Sequence, residues 1–135
     1  MRADFREHFV SSERVTSIEP YGETPPPPEL LRFHASFALG VAARCCALLG
    51  STRLDEELAR LRADLDQLDP TTIEALRGTV GELALRTAAA LAVGSGSRSL
   101  LLADHAQRLM REAMFALVYA LRPGSRDALL ARLGV

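Results

Sequence analysis

Apolar residues recur at helical spacing along most of this chain, with polar residues between them. The clearest pattern is a run of leucines at alternating steps of four and three residues: Leu54, Leu58, Leu61, Leu65 and Leu68. This spacing predicts a helix, capped at Ser51 or Thr52, with a narrow seam for an antiparallel neighbour. The preceding segment, from Glu29 to Leu49, is apolar around most of its circumference and is followed by Gly50, which predicts a central helix.

A third helix is predicted to open at Asp69–Pro70, with Asp69 as the N-cap and Pro70 in the first turn. It carries an apolar stripe and a second face of small residues: Ile73, Leu76, Val80 and Leu83 form the stripe, and Gly81, Ala84, Ala88 and Ala92 the second face. Glycine inside a helix costs about 1 kcal/mol relative to alanine. Gly78 and Gly81 therefore predict that another helix packs closely against this one.

A fourth helix is predicted to begin between Ser99 and Asp104 and to stop at Pro123–Gly124. Asp104 and Gln107 have the spacing of a capping box, in which each side chain bonds the other residue's backbone N–H. Ser125 is predicted to cap a last short helix, over residues 126–133.

These elements together predict an all-α fold over residues 29–135, an up-and-down four-helix bundle with a short C-terminal helix. Two of the helices are apolar on more than one face, whereas a lone bundle needs one apolar stripe per helix. The surplus predicts burial against a partner.

The chain before residue 29 has a different character. Phe9–Val10 and Val15–Ile18 are β-type runs, which predict a short N-terminal β-type extension of two strands over residues 1–24. Pro25–Pro28 predicts a stiff polyproline linker over residues 25–28. Two short strands are not stable alone, so they are expected to dock on the bundle or on another polypeptide.

Composition narrows the function classes. The net charge of the 135 residues is −1, so no charge imbalance directs the chain to nucleic acid or to an anionic membrane. All 16 basic residues are arginine. Charges interrupt the apolar runs and no export signal is visible, which predicts a cytoplasmic protein without a membrane span. The adjacent Cys45 and Cys46 lie in an apolar stretch and predict buried thiols in a reducing compartment.

The familiar signatures of catalysis are missing from the sequence. No cluster has metal-ligand spacing, and neither a nucleophile elbow nor a phosphate-binding loop between a strand and a helix occurs. The glycine-rich stretch Gly94–Ser97 follows a helix, so by itself it predicts a flexible helix terminus. For His34 a core histidine with satisfied hydrogen bonds is favoured over a site residue, and His105 is expected at the surface.

In order along the chain, these segments resemble the C-terminal part of the acyl-CoA dehydrogenase family of flavoproteins. HFVSSERVTSIEPY is similar to the last β-domain strands of that family, and LLRFHASFALGVAARCCALLG to its first C-terminal helix, with Gly40 in the usual position. GSGSRSLLLADHAQRLMREAMFALVYA is similar to a segment that the family writes as Gly-Gly-x-Gly, a spacer, then Arg-Leu-x-Arg-Asp-Ala. QRLMREA is the most specific element, with Glu112 in place of the aspartate.

The resemblance implies FAD, an acyl thioester substrate, and an enzyme that removes an α-proton while the flavin takes the β-hydride. It places an acyl slot along the first helix, flavin contacts near the glycines, and structural residues on the fourth helix. The residues concerned are Phe33, His34 and Phe37 for the slot, Gly94, Gly96 and Arg122 for the flavin, and Arg108, Arg111 and Glu112 for the structural role. For the last three, the residues alone indicate a surface or interface salt-bridge network.

Departures from the family pattern concern the catalytic base. The common glutamate follows a tyrosine, but Tyr119 is followed here by Ala120, which cannot accept a proton. An alternative family position for the base coincides with Leu30, so Glu29 is one residue off and points about 100° away around the helix. An Arg-x-x-Phe-Gly element that helps hold the flavin is absent between Leu49 and Leu68. The family's N-terminal helical domain and most of its β-domain are missing from the sequence as well.

Three hypotheses follow. The chain is a subunit of a split or heteromeric acyl-CoA dehydrogenase-like oxidoreductase, whose partner polypeptide supplies the N-terminal and β-domains, most of the flavin site and the base. Alternatively, it is a catalytically inactive oligomerisation or scaffold module derived from that family. As a third possibility, a stand-alone enzyme would require His34, Glu29 and Arg122 to converge in one pocket.

Overall fold

A computed structural model describes residues 6–15 and 26–135. In the described residues the chain forms a helical bundle with a short C-terminal helix, which confirms the predicted fold class. The helices are α1 (Pro28–Leu49), α2 (Thr52–Asp66), α3 (Ile73–Ser95), α4 (His105–Val118) and α5 (Pro123–Leu133). Short 3-10 helices lie at Ser12–Arg14 and Gly96–Leu100.

α1 and α2 begin and end close to where the sequence predicts. Pro28 is the first residue of α1 rather than the end of the linker, and Pro27 before it has the polyproline geometry of φ −60° and ψ 142°. Gly50 ends α1 in the left-handed conformation with a φ of 64°, which glycine adopts without steric cost. In α2 the predicted leucine seam is confirmed, since Leu58, Leu61 and Leu65 are buried.

The start of α3 differs from the prediction. The helix begins at Ile73 instead of at Pro70. Asp69 caps the preceding turn, because its carboxylate accepts hydrogen bonds from the backbone N–H and the hydroxyl of Thr71, both at 2.8 Å. The aspartate therefore caps a single turn that leads into α3, since its backbone oxygen also accepts from the N–H of Ile73 at 3.0 Å.

Asp104 caps α4 as predicted, with its carboxylate accepting from the N–H of Ala106 at 2.9 Å. The predicted capping box is wrong, because the N–H of Asp104 donates to Leu101 O and Gln107 Oε1 has no partner within residues 6–15 and 26–135. α4 ends at Val118, before the predicted proline stop, and Pro123 instead begins α5.

The central helix of the bundle is α3, because it packs against α1, α2, α4 and α5. Its small residues allow this close approach. A Cβ built on Gly78 would lie 2.7 Å from the backbone oxygen of Ser125, which confirms the close packing predicted from this glycine. Ser125, predicted as an N-cap, lies instead in the first turn of α5, buried against α3.

α1 is not the central helix, contrary to the prediction. One side packs against α2, α3 and α4, but the side chains of Phe33 and Phe37 are 55% and 40% exposed. α1 is also long and apolar enough to cross a membrane by length and composition alone, with a mean hydropathy of 1.2 and 44% of the window buried in the bundle. A core helix of this kind passes the same test.

The described part of the N-terminal segment contains no strand. Phe9 and Val10, predicted as the first strand, are irregular and exposed, and the Ser12–Arg14 turn follows them. A strand requires a neighbour for its backbone hydrogen bonds, and the described residues offer none to this segment. The second predicted run lies, apart from Val15, outside the described residues.

Candidate functional site

The aromatic face of the bundle is formed by Phe33, His34 and Phe37 of α1 and by Phe115 and Tyr119 at the end of α4. The Phe33 and Phe37 rings meet edge to face at a centroid distance of 5.2 Å, and Phe37 and Tyr119 at 5.7 Å. Phe115 stacks on Tyr119 at 4.9 Å. The structure thus brings together the three residues predicted to line an acyl slot and adds two aromatic residues to them.

A groove of about 380 Å³ opens on this face between α1 and α4. Gly40 is one of the residues that line it, and a Cβ built there would meet no atom within 4 Å. Phe37 and Phe115 line the groove with Ser36, Val41 and Glu112. The groove is therefore an apolar recess with one carboxylate at its edge.

His34 lies at the inner edge of the aromatic face. Its ring meets Tyr119 edge to face at 5.5 Å, and its Nδ1 is buried with no hydrogen-bond partner among the described residues. Burial, and then the positive charge of Arg77, lower the pKa of His34. The predicted core histidine with satisfied hydrogen bonds is therefore wrong, because His34 is half-buried and one ring nitrogen is unpaired. A neutral imidazole with an unpaired nitrogen can accept a proton or a hydrogen bond.

Arg77 of α3 is buried beneath this face and binds the C-terminal end of α4. It is 1% exposed, and its Nη2 donates to the carbonyl oxygens of Ala116 at 3.1 Å and Tyr119 at 2.6 Å. A cation at the C-terminus of a helix pairs the last carbonyls and complements the helix dipole. Arg77 Nε and Nη1 have no hydrogen-bond partner among the described residues, and burial lowers the pKa of the guanidinium.

Sequence analysis missed Arg77, although a signal was present. Arg77 falls between Ile73 and Val80 at steps of four and three residues, which places its side chain in the apolar stripe of α3. A charged residue in such a stripe is buried with hydrogen-bond partners or extends out to solvent. Only the position of α4 decides that its partners are carbonyl oxygens.

Ala120, at the position where the resemblance predicts a glutamate, directly follows Tyr119 and so lies beside the aromatic face. It is exposed and adopts a left-handed conformation with a φ of 49°. Glu29 lies in the first turn of α1, exposed, one helical turn before Phe33 on the same stripe. Neither position gives the aromatic face a buried carboxylate.

The residues predicted to contact the flavin lie at opposite ends of α3. Gly94 lines a pocket of about 400 Å³ with Arg98, Asp104 and His105, and Gly96 follows with a φ of 60°. Arg122 instead approaches Glu74, with Nε 3.8 Å from Oε1. Positions 74 and 94 are about 30 Å apart along a helix. Arg122 therefore lies with the first turn of α3, at the other end of this helix from Gly94.

Of the three residues assigned a structural role on α4, two form an ion pair. Arg108 Nε lies 3.4 Å from Glu112 Oε1, one turn further along the helix, and both side chains are about half exposed. Arg111 is exposed and makes no ion pair with the described residues. Within residues 6–15 and 26–135, no group of three His, Cys, Asp or Glu side chains is arranged to hold a metal ion.

In comparisons with known proteins, no family model, no curated protein and no solved structure matches the chain.

Proposed function

We propose that the chain is the helical subunit of a heteromeric acyl-CoA dehydrogenase-like oxidoreductase that binds FAD and an acyl thioester. In this proposal a partner polypeptide supplies the N-terminal and β-domains, most of the flavin site and the catalytic base. The chain contributes the bundle and one wall of the acyl pocket, and the complex works in the cytoplasm.

The observation that carries the proposal is the aromatic face. The resemblance assigns Phe33, His34 and Phe37 to the acyl slot, and these residues form one continuous surface with Tyr119, next to Ala120. The positions that the resemblance assigns to the site lie in two segments, which are about 80 residues apart in the sequence. Their proximity is what an acyl site between the first and fourth bundle helices requires.

This face is open on one side, which supports the need for a partner. Phe33 and Phe115 are each 55% exposed. Large exposed apolar patches on single chains mark protein or ligand binding sites. In the complex the aromatic rings would bind the apolar acyl chain and exclude water from it, while the partner closes the slot.

Proton removal would depend on the partner. A carboxylate that acts as the base has to be held near the substrate in an apolar site, which raises its pKa towards neutrality. Ala120 has no carboxyl group, and Glu29 is exposed on the first turn of α1. The subunit would therefore position the acyl chain, and the partner would take the α-proton.

The residues near the end of α3 fit a flavin only in part. Around Gly94 the backbone is open to a ligand, and the Arg98 guanidinium in the same pocket suits a phosphate, but the Asp104 carboxylate opposes one. Gly94, Gly96 and Arg98 would hold part of the cofactor, whereas Arg122 belongs to a different end of the bundle. Bound flavin would supply the hydride acceptor.

Co-expression with a partner polypeptide that carries the N-terminal and β-domains of an acyl-CoA dehydrogenase tests the proposal. We expect the two chains to co-purify with bound flavin, visible by its absorbance. Phe33→Asp should weaken the complex about tenfold or more, because it places a charge in the covered apolar face. Leu133→Asp, an exposed apolar residue of α5, is the matched control. Failure to co-purify, or equal effects of both variants, would contradict the proposal.

The second candidate is a catalytically inactive scaffold, and Ala120 favours it. The position where the resemblance expects a base holds a methyl group in a left-handed turn at the end of α4. A scaffold would form the same complex with the same response to Phe33→Asp. It would differ in one measurement, because the purified complex would contain no flavin and would not turn over an acyl thioester.

A further inference from the structure

The exposed stripe of α1 is self-complementary, because its two halves carry residues that fit each other. Glu29, Phe33, Phe37, Gly40 and Arg44 follow one another at steps of four, four, three and four residues, so they lie within one sector of about 80° on the helix. All five are exposed. Glu29 and Arg44 make no ion pair with the described residues, and both remain available to a partner.

We propose that, in the free chain, this stripe pairs antiparallel with the same stripe of a second copy, through a two-fold axis near Phe37. In an antiparallel pair centred between residues 36 and 37, residue 29 lies level with residue 44 of the second copy, and residue 33 with residue 40. Glu29 of each copy thus meets Arg44 of the other, on both sides of the axis. This self-complementary arrangement is what a two-fold interface requires.

Shape complements charge in this arrangement. The Phe33 ring is 55% exposed and projects from α1, whereas a Cβ built on Gly40 would meet no atom within 4 Å. Phe33 of each copy therefore faces the recess over Gly40 of the other, as a knob faces a hole in packed helices. The groove beside Gly40, about 380 Å³ and bounded by Phe115, extends this recess towards α4.

The exposed apolar area of the aromatic face approaches what a stable pair buries. Aromatic side chains expose roughly 150–250 Å² each when uncovered. Phe33, Phe37, Phe115 and Tyr119 are 38–55% exposed, so together they present on the order of 400 Å². A standard interface buries about 800 Å² per partner, of which about 60% is apolar. The aromatic face thus supplies most of the apolar part of one such interface.

This homodimer does not depend on the proposed heteromeric function, but it uses the same face. A partner that covers the aromatic face has to displace the second copy, so the two assemblies exclude each other. A monomeric free chain would overturn the homodimer and leave the heteromeric complex untouched.

Sedimentation equilibrium of the full chain tests the pairing. We expect a mass of twice the 14.6 kDa of one chain. Gly40→Leu fills the recess and should shift the mass to that of the monomer, while the helical circular dichroism spectrum is kept because leucine favours the helix. Gly94→Leu is the matched control, since it is also a helical glycine with no atom within 4 Å of a built Cβ, but lies on α3.

Charge exchange tests the orientation of the two copies. Glu29→Arg places two positive charges opposite each other on both sides of the axis and should weaken the dimer roughly tenfold. Arg44→Glu places two negative charges there and should have the same effect. The double variant restores opposite charges and should restore dimerisation. A monomeric parent chain, a Gly40→Leu variant that still dimerises, or a double variant no stronger than the single ones would overturn the proposal.

Discussion

Arg77 provides the sharpest test of how the aromatic face is held in place. Its guanidinium is 1% exposed and bonds the carbonyls of Ala116 and Tyr119, at the end of α4. We predict that Arg77→Ala lowers the free energy of unfolding by about 3–5 kcal/mol. Each hydrogen bond from a charged donor contributes about 1.5–3 kcal/mol, and truncation of a large buried side chain leaves a cavity that adds to the cost.

The free energy lost in the variant is reduced because burial of the Arg77 guanidinium is itself unfavourable. Arg77 Nε and Nη1 have no hydrogen-bond partner in the described part of the chain, and burial of a cation is unfavourable, which its lowered pKa also reflects. Arg77→Met keeps most of the volume and removes the charge, so we expect a smaller loss of about 1–3 kcal/mol. The difference between the two variants measures the cavity, and the methionine variant measures the hydrogen bonds net of desolvation.

Urea unfolding monitored by circular dichroism gives these values, provided that the m-value is unchanged. Arg86→Met is the control on the same helix. Arg86 makes paired hydrogen bonds to Glu57 and Glu82, but its side chain is 39% exposed, so its loss should cost about 1–2 kcal/mol, less than the loss of Arg77. Hydrogen exchange should also speed up in residues 116–122 of the Arg77 variants. An Arg77→Ala variant no less stable than Arg86→Met would refute the assignment of Arg77 as the support of α4.

Three further predictions concern single positions. Gly78→Ala should destabilise the fold by about 1–3 kcal/mol in urea unfolding, because its Cβ would lie 2.7 Å from Ser125 O and backbone has to move; an unchanged midpoint would contradict the packing of α5. The lowered pKa of His34 means that the unfolded chain binds its proton first, so stability should fall as the pH drops below the ordinary value of 6.5, and His34→Phe should flatten this slope between pH 7.5 and 5.5. Cys45 and Cys46 are fully buried and burial raises the pKa of both thiols, so a thiol reagent at pH 8 should modify them only after urea unfolding.

The chain's local patterns were sufficient for most of the helices. The leucine seam of α2, the cap at Asp104 and the glycine at position 50 each act within a few residues, so each could be interpreted without a partner. Errors arose at the ends of the helices. Asp69 caps a separate turn just before α3, and Pro123 begins α5 instead of ending α4.

What tertiary structure alone decided is which apolar surface is covered. By composition α1 and α3 both qualify as central, and only the packing of four helices around the glycines and alanines of α3 makes it the centre and leaves Phe33 and Phe37 exposed. The sequence by itself determined the helices, the buried thiols and the presence of surplus apolar surface. It could not place that surplus, or the carbonyl partners of Arg77, because both depend on contacts between residues about 40 or more positions apart, which no local pattern records.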